Sequence, residues 1–368
     1  MMKKYFETIE DSRQQGKIKY NMLETIIITI IAVIAGAEHW NEIAMYCKAK
    51  EEWFREKIGL ELKNGIPTDD TFARIFAIIK PKELEKCFIN WVQSVHTITD
   101  GEIVSIDRKT LRGSRNNDNS VIHMVSAWSD KANMVLGQIR VNEKSNEIVA
   151  VPELLELLEL KGCIITSDAM SCQKKTVNKI TEKQCDYVIC LKGNQGNLHE
   201  DVKQYFENAI KEPEFFPLEN TCTSCKNHGR IEKRYYYLTS DIEWIENKDE
   251  WSNLNAVGMV RSIRIINGIE SVENRYFISS IIDVKTFAQA VRTHWGIENS
   301  LHWCLDMNFN EDRCRMRVDN SGENFAVIRH IATNFYKALK TPKLSMKAKR
   351  FRCSFDDEFL LEVIFNKI

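Results

Sequence analysis

Three acidic residues stand where carboxylates can do chemistry. Asp107 ends the run Ile103–Asp107 (IVSID), and Asp168 ends Cys163–Asp168 (CIITSD). Both runs are short, β-branched and bounded by polar residues, the pattern of a buried strand. Glu298 lies in Val284–Arg317, VKTFAQAVRTHWGIENSLHWCLDMNFNEDRCRMR, whose first twenty residues lack proline. There Ala290, Ile297, Leu301 and Leu305 recur at helical spacing, and Glu298 lies beside that apolar stripe. Two strand-end acids and one helix acid make an all-oxygen cage of the kind Mg²⁺ prefers.

Two other constellations compete. His294, Glu298 and His302 sit four apart and would form one row down a helix face. Three ligands so spaced cover about 12 Å of helix, too far to meet on one ion at zinc bond lengths of about 2.0–2.2 Å. Cys222-Thr-Ser-Cys225, followed by His228, lacks a fourth ligand and a second Cys-x-x-Cys, so structural zinc is set aside. The other thiols lie mostly in apolar runs such as Cys47, Cys87, Cys163 and Cys190, as reduced cytoplasmic cysteines do.

The elements that must position the acids follow from the order of patterns. Residues 1–97 read as helices: Met22–Ala37, Trp40–Lys50, Glu51–Ile58, about Asp69–Ile79 with Thr68 as cap, and Lys82–His96. Such a domain is a bundle packed on the core or a helix-turn-helix DNA-binding module, with Thr71 and Arg74 on the accessible side. Residues 98–195 then give strands at Ile103–Arg108, His123–Ser129 and Met134–Val141, a helix at Val151–Leu160, a strand at Cys163–Asp168, a helix at Cys172–Glu182 and a strand at Asp186–Leu191. That order predicts an α/β fold with an RNase-H-like sheet as catalytic core. Residues 196–283 open with a helix at Leu198–Ile210. They then read as a β-rich insertion with strands at Ile231–Thr239, Ala256–Ile266 and Ser271–Ser280, before the core's final helices in 284–340. The tail, 341–368, opens on the basic run Lys340–Arg352 (KTPKLSMKAKRFR), a solvated face or a phosphate contact.

Bulk composition constrains less. With 51 basic and 52 acidic residues the net charge is −1, so any attraction for nucleic acid is local. Ile26–Ala37, the most apolar run, is about half of the roughly 20 residues a membrane span needs. It reads as a buried helix, and the polar residues before it match a secretory signal poorly. No membrane association is expected.

Six ordered motifs then point to a family. IDRKTLRGS (Ile106–Ser114), HMVSAW (His123–Trp128), SDAMSCQK (Ser167–Lys174), DYVICLKGNQ (Asp186–Gln195), HGRIEKR (His228–Arg234) and HWGIENSLHWCLDMNFNEDRCRMR (His294–Arg317) resemble the H-repeat-associated family of bacterial insertion-sequence transposases, of the DDE class with an RNase-H-like fold. The resemblance covers nearly the whole chain. It implies that Asp107, Asp168 and Glu298 are the catalytic, metal-binding triad and that residues 1–97 are the family's associated N-terminal domain. It also implies double-stranded DNA as partner, transposon ends and target alike, and a location at the nucleoid of a bacterial cytoplasm. Two departures stand out. Arg108 follows the first acid where the family usually carries Gly, and the Tyr, Arg and Lys that flank the glutamate in related groups fall on Val291, His294 and Leu305.

The chemistry so implied is phosphodiester cleavage by two Mg²⁺ ions roughly 3.5–4 Å apart, with Mn²⁺ able to substitute. Asp107 would bridge both ions, Asp168 completing one shell and Glu298 the other. Water would nick a transposon end, and the freed 3′-OH would attack target DNA without a covalent protein intermediate. Lys109, Arg112 and Arg115 would grip phosphates after the first acid. Lys192, Asn194 and Gln195 would do so at a strand end, and His228, Arg230 and Arg234 from the insertion. Arg292, His294 and Trp295 would replace the missing flanking residues. Trp295 could stack on a displaced base, whereas Trp303 is expected in the core. Synapsis of two ends calls for a homodimer. The alternatives are a nuclease without strand transfer and a transposase-derived DNA-binding protein; retention of all three acids disfavours the latter.

Overall fold

The protein is described here by a computed structural model covering residues 2–115, 120–141, 147–227, 230–339 and 344–365. It divides into two compact units, one of Met1–Thr97, Arg108–Asn142 and Glu298–Ile368, the other of Ile98–Asp107 and Glu143–Ile297.

The strands are β1 (Ile103–Leu111), β2 (Ile122–Ser129), β3 (Met134–Val141), β4 (Ile164–Ser167), β5 (Asp186–Leu191), β6 (Glu219–Asn227), β7 (Arg230–Thr239), β8 (Ala256–Ile266) and β9 (Ile269–Ser279). In the first unit the order is β3-β2-β1, and in the second β1-β4-β5-β9-β8-β7-β6, with β1 passing from the second unit into the first. β4 runs parallel to both β1 and β5, while β9 closes antiparallel on β5. A meander followed by parallel strands with helical crossovers is the RNase-H-like layout anticipated from the pattern.

The first unit is held by two helices buried almost all round, Met22–Ile34 and Ser321–Ala338. A helix apolar on every face belongs inside a core, which is where the run Ile26–Ala37 goes. Asn21 caps the first of them, its Oδ1 accepting from Glu24 N–H at 3.0 Å. The second carries buried amides that complete other backbones. Asn324 Nδ2 donates to the carbonyls of Phe76 (2.8 Å) and Ile79 (2.9 Å), and Asn334 exchanges two 2.9 Å bonds with Val135 of β3. Among the described residues no helix is long and apolar enough to cross a membrane.

In the second unit the helix Val284–Gly296 lies on one sheet face. Its Val284, Phe287, Ala288, Ala290 and Val291 form one cluster with Ile103, Ile164, Val188, Tyr236, Val260 and Phe277. Asp283 caps it by accepting from Thr286 N–H at 2.8 Å. The insertion is not a module apart, because β9 pairs with β5 from Val188↔Ser279 to Leu191↔Tyr276 and so extends the same sheet. The apolar end of β9 makes this necessary: Phe277 and Ile278 are buried, while Ile269–Asn274 are exposed. β6 was not anticipated, since its polar sequence, ENTCTSCKN, lacks alternation. In an extended strand Cys222 and Cys225, an odd number apart, project to opposite faces, which removes the Cys-x-x-Cys zinc option on geometry alone.

Candidate active site

The acids of the second unit are placed by strand register. β1 and β4 pair in parallel from Ile103↔Ile164 through Ile106↔Ser167, so Asp107 and Asp168 come next; Asp168 directly follows the end of β4 as expected, whereas β1 runs on past Asp107 to Leu111. Period-two alternation puts Ile103, Ser105 and Asp107 on one face of β1 and Ile164, Thr166 and Asp168 on the same face of β4. Ile103 and Ile164 pack in the cluster under the Val284–Gly296 helix, so this is the helix-covered face. Asp168 is exposed and Asp107 half-buried. Arg108, the departure from the family's usual Gly, falls on the opposite face of β1 from Asp107 and is exposed.

A hydrogen-bonded chain lies one layer below the two acids. The Thr166 hydroxyl donates to Ser105 Oγ at 3.1 Å and sits 3.0 Å from His294 Nδ1. With its proton committed to Ser105, Thr166 accepts from Nδ1–H, leaving Nε2 as the acceptor of the ring. Burial pushes His294 down to about 4, with Asp168 opposing that shift and Arg275 adding to it. His294 is therefore neutral at physiological pH and braced against the sheet.

Cations gather beside this layer. Arg275 of β9 donates from Nε to Glu273 at 2.8 Å and lies over Trp295, 5.1 Å from the ring centroid. Arg234 and Arg292 approach the same ring at 4.8 and 5.9 Å. Lys192 and Arg275 both act electrostatically on Cys190, as does Asp168, which puts the three in one neighbourhood. Arg275 was missed in the sequence. Its alternation with Phe277 was legible, but which face the helix would cover was not.

The remaining candidates separate by environment. Arg112, Arg115, Lys192, Arg230 and Arg292 are exposed. Asn194 and Gln195 use their amides internally, donating to the carbonyls of Ala169 (2.8 Å) and Cys172 (2.6 Å). Arg234 is buried against Glu232 at 2.5 Å. Lys109, expected to grip phosphate, is only 10% exposed and lies 2.6 Å from Asp306 and 2.9 Å from Glu311. His228 lies outside the described residues. Trp303, expected in the core, is 59% exposed. The tail is not a solvated face throughout: Lys349 and Arg350 are buried, with Lys349 Nζ donating to the Tyr336 carbonyl at 2.9 Å and Arg350 pairing with Glu38 at 2.7 Å.

Glu298 is exposed and opens the last segment of the first unit. The helix that ends at Gly296 gives way to a π-helical stretch, Ile297–His302, before the helix Trp303–Phe309. The i→i+5 bonding of a π turn widens the winding, so residues four apart no longer stack as in an α-helix. The single row of His294, Glu298 and His302 is broken there, a second reason against zinc on that face. Among the described residues no three His, Cys, Asp or Glu groups form a ready-made cation cage. The second unit itself supplies a pair of carboxylates, oxygen donors that suit a hard divalent cation.

Comparison with known proteins shows the family. Residues 3–92 match the family described as DDE_Tnp_1-associated, and residues 95–335 the family described as Transposase DDE domain. "Putative transposase YncI" of Escherichia coli O157:H7 is 41% identical over 98% of this chain and 93% of its own length. "H repeat-associated putative transposase YhhI" of Escherichia coli K12 is 38% identical over 98% of this chain and 96% of its own. "Inactive transposase YbfQ" of the same strain is 35% identical over 20% of this chain. Among solved structures, "piggyBac transposase synaptic complex with hairpin DNA" aligns over 100% of this chain and 81% of its own at 11% identity, with a TM-score of 0.38.

Proposed function

We propose, for a chain that belongs to the transposase DDE family and groups with the H repeat-associated transposases, that Asp107, Asp168 and Glu298 hold the divalent cations for cleavage and strand transfer at its element's terminal inverted repeats. Divalent-metal dependence is general to the DDE domain; two Mg²⁺ ions, replaceable by Mn²⁺, are part of the proposal. Bound there, Mg²⁺ would polarise the phosphoryl oxygens and lower the pKa of the attacking water. The observation that carries the reading is the β1–β4 register, which leaves Asp107 and Asp168 side by side on the helix-covered face.

The chain's own residues have distinct tasks. The Ser105–Thr166–His294 chain braces β1 and β4 beneath the acids. Arg275, Lys192 and the exposed Arg292 supply positive charge next to them, where DNA phosphates would pass. Arg230, exposed in the same unit, would extend that track, and Arg112 and Arg115, exposed in the first unit, are phosphate contacts in their own right. Trp295 holds the arginine side chains in place through its ring faces. Two ends must be handled together, so the active species is at least a homodimer on DNA. Size-exclusion chromatography that shows a monomer on end DNA would remove that element.

The experiment is Mg²⁺-dependent cleavage of a labelled duplex carrying the DNA that flanks the gene, for the parent and for Asp107→Asn, Asp168→Asn and Glu298→Gln. Loss of cleavage with DNA binding retained is expected in each. Equal activity in Asp107→Asn would remove the metal-triad reading. Joined products bearing a target duplication distinguish transposition from simple hydrolysis.

A further inference from the structure

Lys109 is two residues beyond Asp107 on β1 and so shares its face. Its ammonium lies 2.6 Å from Asp306, 2.9 Å from Glu311 and 3.5 Å from Asp312. Lys109 is 10% and Glu311 2% exposed, and the buried Arg329 stands 3.8 Å from the other oxygen of Glu311. The carboxylates come from the helix Trp303–Phe309 and the turn Glu311–Arg313, the stretch of chain that directly continues the π turn bearing Glu298. A lysine already answered by three carboxylates has little positive charge left for a phosphate. A carboxylate as buried as Glu311 is no ligand for an exchangeable ion either.

The cluster is thus poor as a DNA contact, yet it ties the strand that carries the first acid to the segment downstream of the third. Apolar side chains of similar volume could fill the same space with equal or better stability, so the ions add direction more than adhesion. We propose that Lys109 and Glu311 are positioning residues for metal binding: their ion pair sets the end of β1 and the helix after Glu298 at the angles from which the acids bind the cation. This rests on the triad reading above and concerns residues outside the triad.

The test uses the full chain with Lys109→Met/Glu311→Met, which removes both charges together, and Asp312→Asn, a milder change at a half-buried member of the cluster. Metal binding is read from the rise in Tm on titration with MgCl₂, with no DNA present. DNA affinity is read from binding to a linear duplex of arbitrary sequence in EDTA across a salt series. A positioning role predicts that half-saturating Mg²⁺ rises about 10–100-fold in the double variant, as when an outer-shell partner of a metal ligand is lost. A smaller rise is expected for Asp312→Asn, which also releases the exposed Arg112 at 3.4 Å, with the salt slope of DNA binding unchanged in the double variant and not lowered in Asp312→Asn. A slope lower by about one with the Mg²⁺ requirement unchanged would make Lys109 a phosphate contact and overturn the proposal. An unchanged Mg²⁺ requirement with only a lower Tm would reduce the cluster to packing and overturn it equally. If the double variant does not fold, Asp312→Asn decides by the same readings. Asp107→Asn run alongside separates the two levels: full cleavage by that variant sinks the triad, whereas failure of the cluster variants alone sinks only the positioning role.

Discussion

Gly113→Ala is expected to be among the most damaging single-methyl additions in the chain. A Cβ at Gly113 would stand 2.1 Å from the carbonyl oxygen of Cys314 and 2.9 Å from its carbonyl carbon and nitrogen. All three are backbone atoms, so no side-chain rotation relieves the clash. Ordinary contact near 3.5 Å requires the turn Arg112–Ser114 and the chain at Cys314 to part by about 1.4 Å. The same junction is closed by Arg317, whose Nε donates to the Gly113 carbonyl at 2.8 Å. Overpacking of this kind costs about 1–3 kcal/mol and sometimes more, and the immovable partner places this case near the top. Against it stands a gain of about 0.4–1 kcal/mol from a less flexible unfolded chain. The net, about 2–3 kcal/mol, corresponds to a fall in Tm of roughly 5–10 °C for a unit of this size. Thermal and urea unfolding would measure it, the latter with m held constant to show that stability alone changed. Gly16→Ala, with no atom within 4 Å of the added carbon, is the neutral control. A Gly113→Ala protein melting within a degree of the parent would refute the reasoning.

Other consequences follow from the same geometry. Arg275→Ala should lower the salt slope of DNA binding by about one, with Arg275→Lys close to the parent; unchanged slopes in both would remove Arg275 from the DNA path. Burial pushes His330 from 6.5 down to about 4, with Glu311 opposing and Lys109 and Arg329 assisting. The unfolded chain then binds the extra proton first, so stability should fall as pH drops from about 6.5 to 4, by about 3 kcal/mol once His330 is forced to protonate. His330→Gln should remove about half of that limb in urea titrations at stepped pH, the rest coming from His294, and an unaltered limb would exclude His330 as a source. Trp303→Ser, at 59% exposure, should shift stability by no more than about 0.5 kcal/mol in the same assay, whereas a loss of several would restore Trp303 to the core.

Much of the fold was legible because burial imposes simple periods. Ile103–Ile106, Cys163–Ser167 and Tyr187–Leu191 are buried throughout and read as short, mostly apolar and β-branched runs. The Met22–Ile34 helix declared itself by apolar residues on every face. What escaped depends on partners distant in sequence. β6 has neither alternation nor an apolar run, and it is a strand only because β7 offers it a ladder from Glu219↔Leu238 to Asn227↔Arg230. How the insertion joins the sheet was hidden because nothing local announces that Val188 will meet Ser279. The π turn at Ile297–His302 was invisible for a like reason: the apolar spacing of Ile297, Leu301 and Leu305 suits an ordinary helix.

For the site, residue type told less than environment. Lys109, Arg112 and Arg115 follow the same acid within nine residues and looked equivalent as phosphate grips, yet one is sealed among carboxylates and two face water. The separation comes from NEDRCRMR, which the fold brings against RKTLRGS: Glu311 and Asp312 meet Lys109, and Arg317 meets Gly113. Both stretches carry the family resemblance, and sequence alone suggests that such motifs touch substrate. Their mutual packing gives a different reason for their residue types, since Gly113 must stay small for the junction to close and Lys109 is answered there by Asp306 and Glu311. A motif residue is therefore assigned to DNA or metal only after its partners within the chain are subtracted. On the helix-covered face of the second unit Asp107, Asp168, Lys192 and Arg275 are the groups we propose for that chemistry, Arg275 while paired with Glu273 at 2.8 Å.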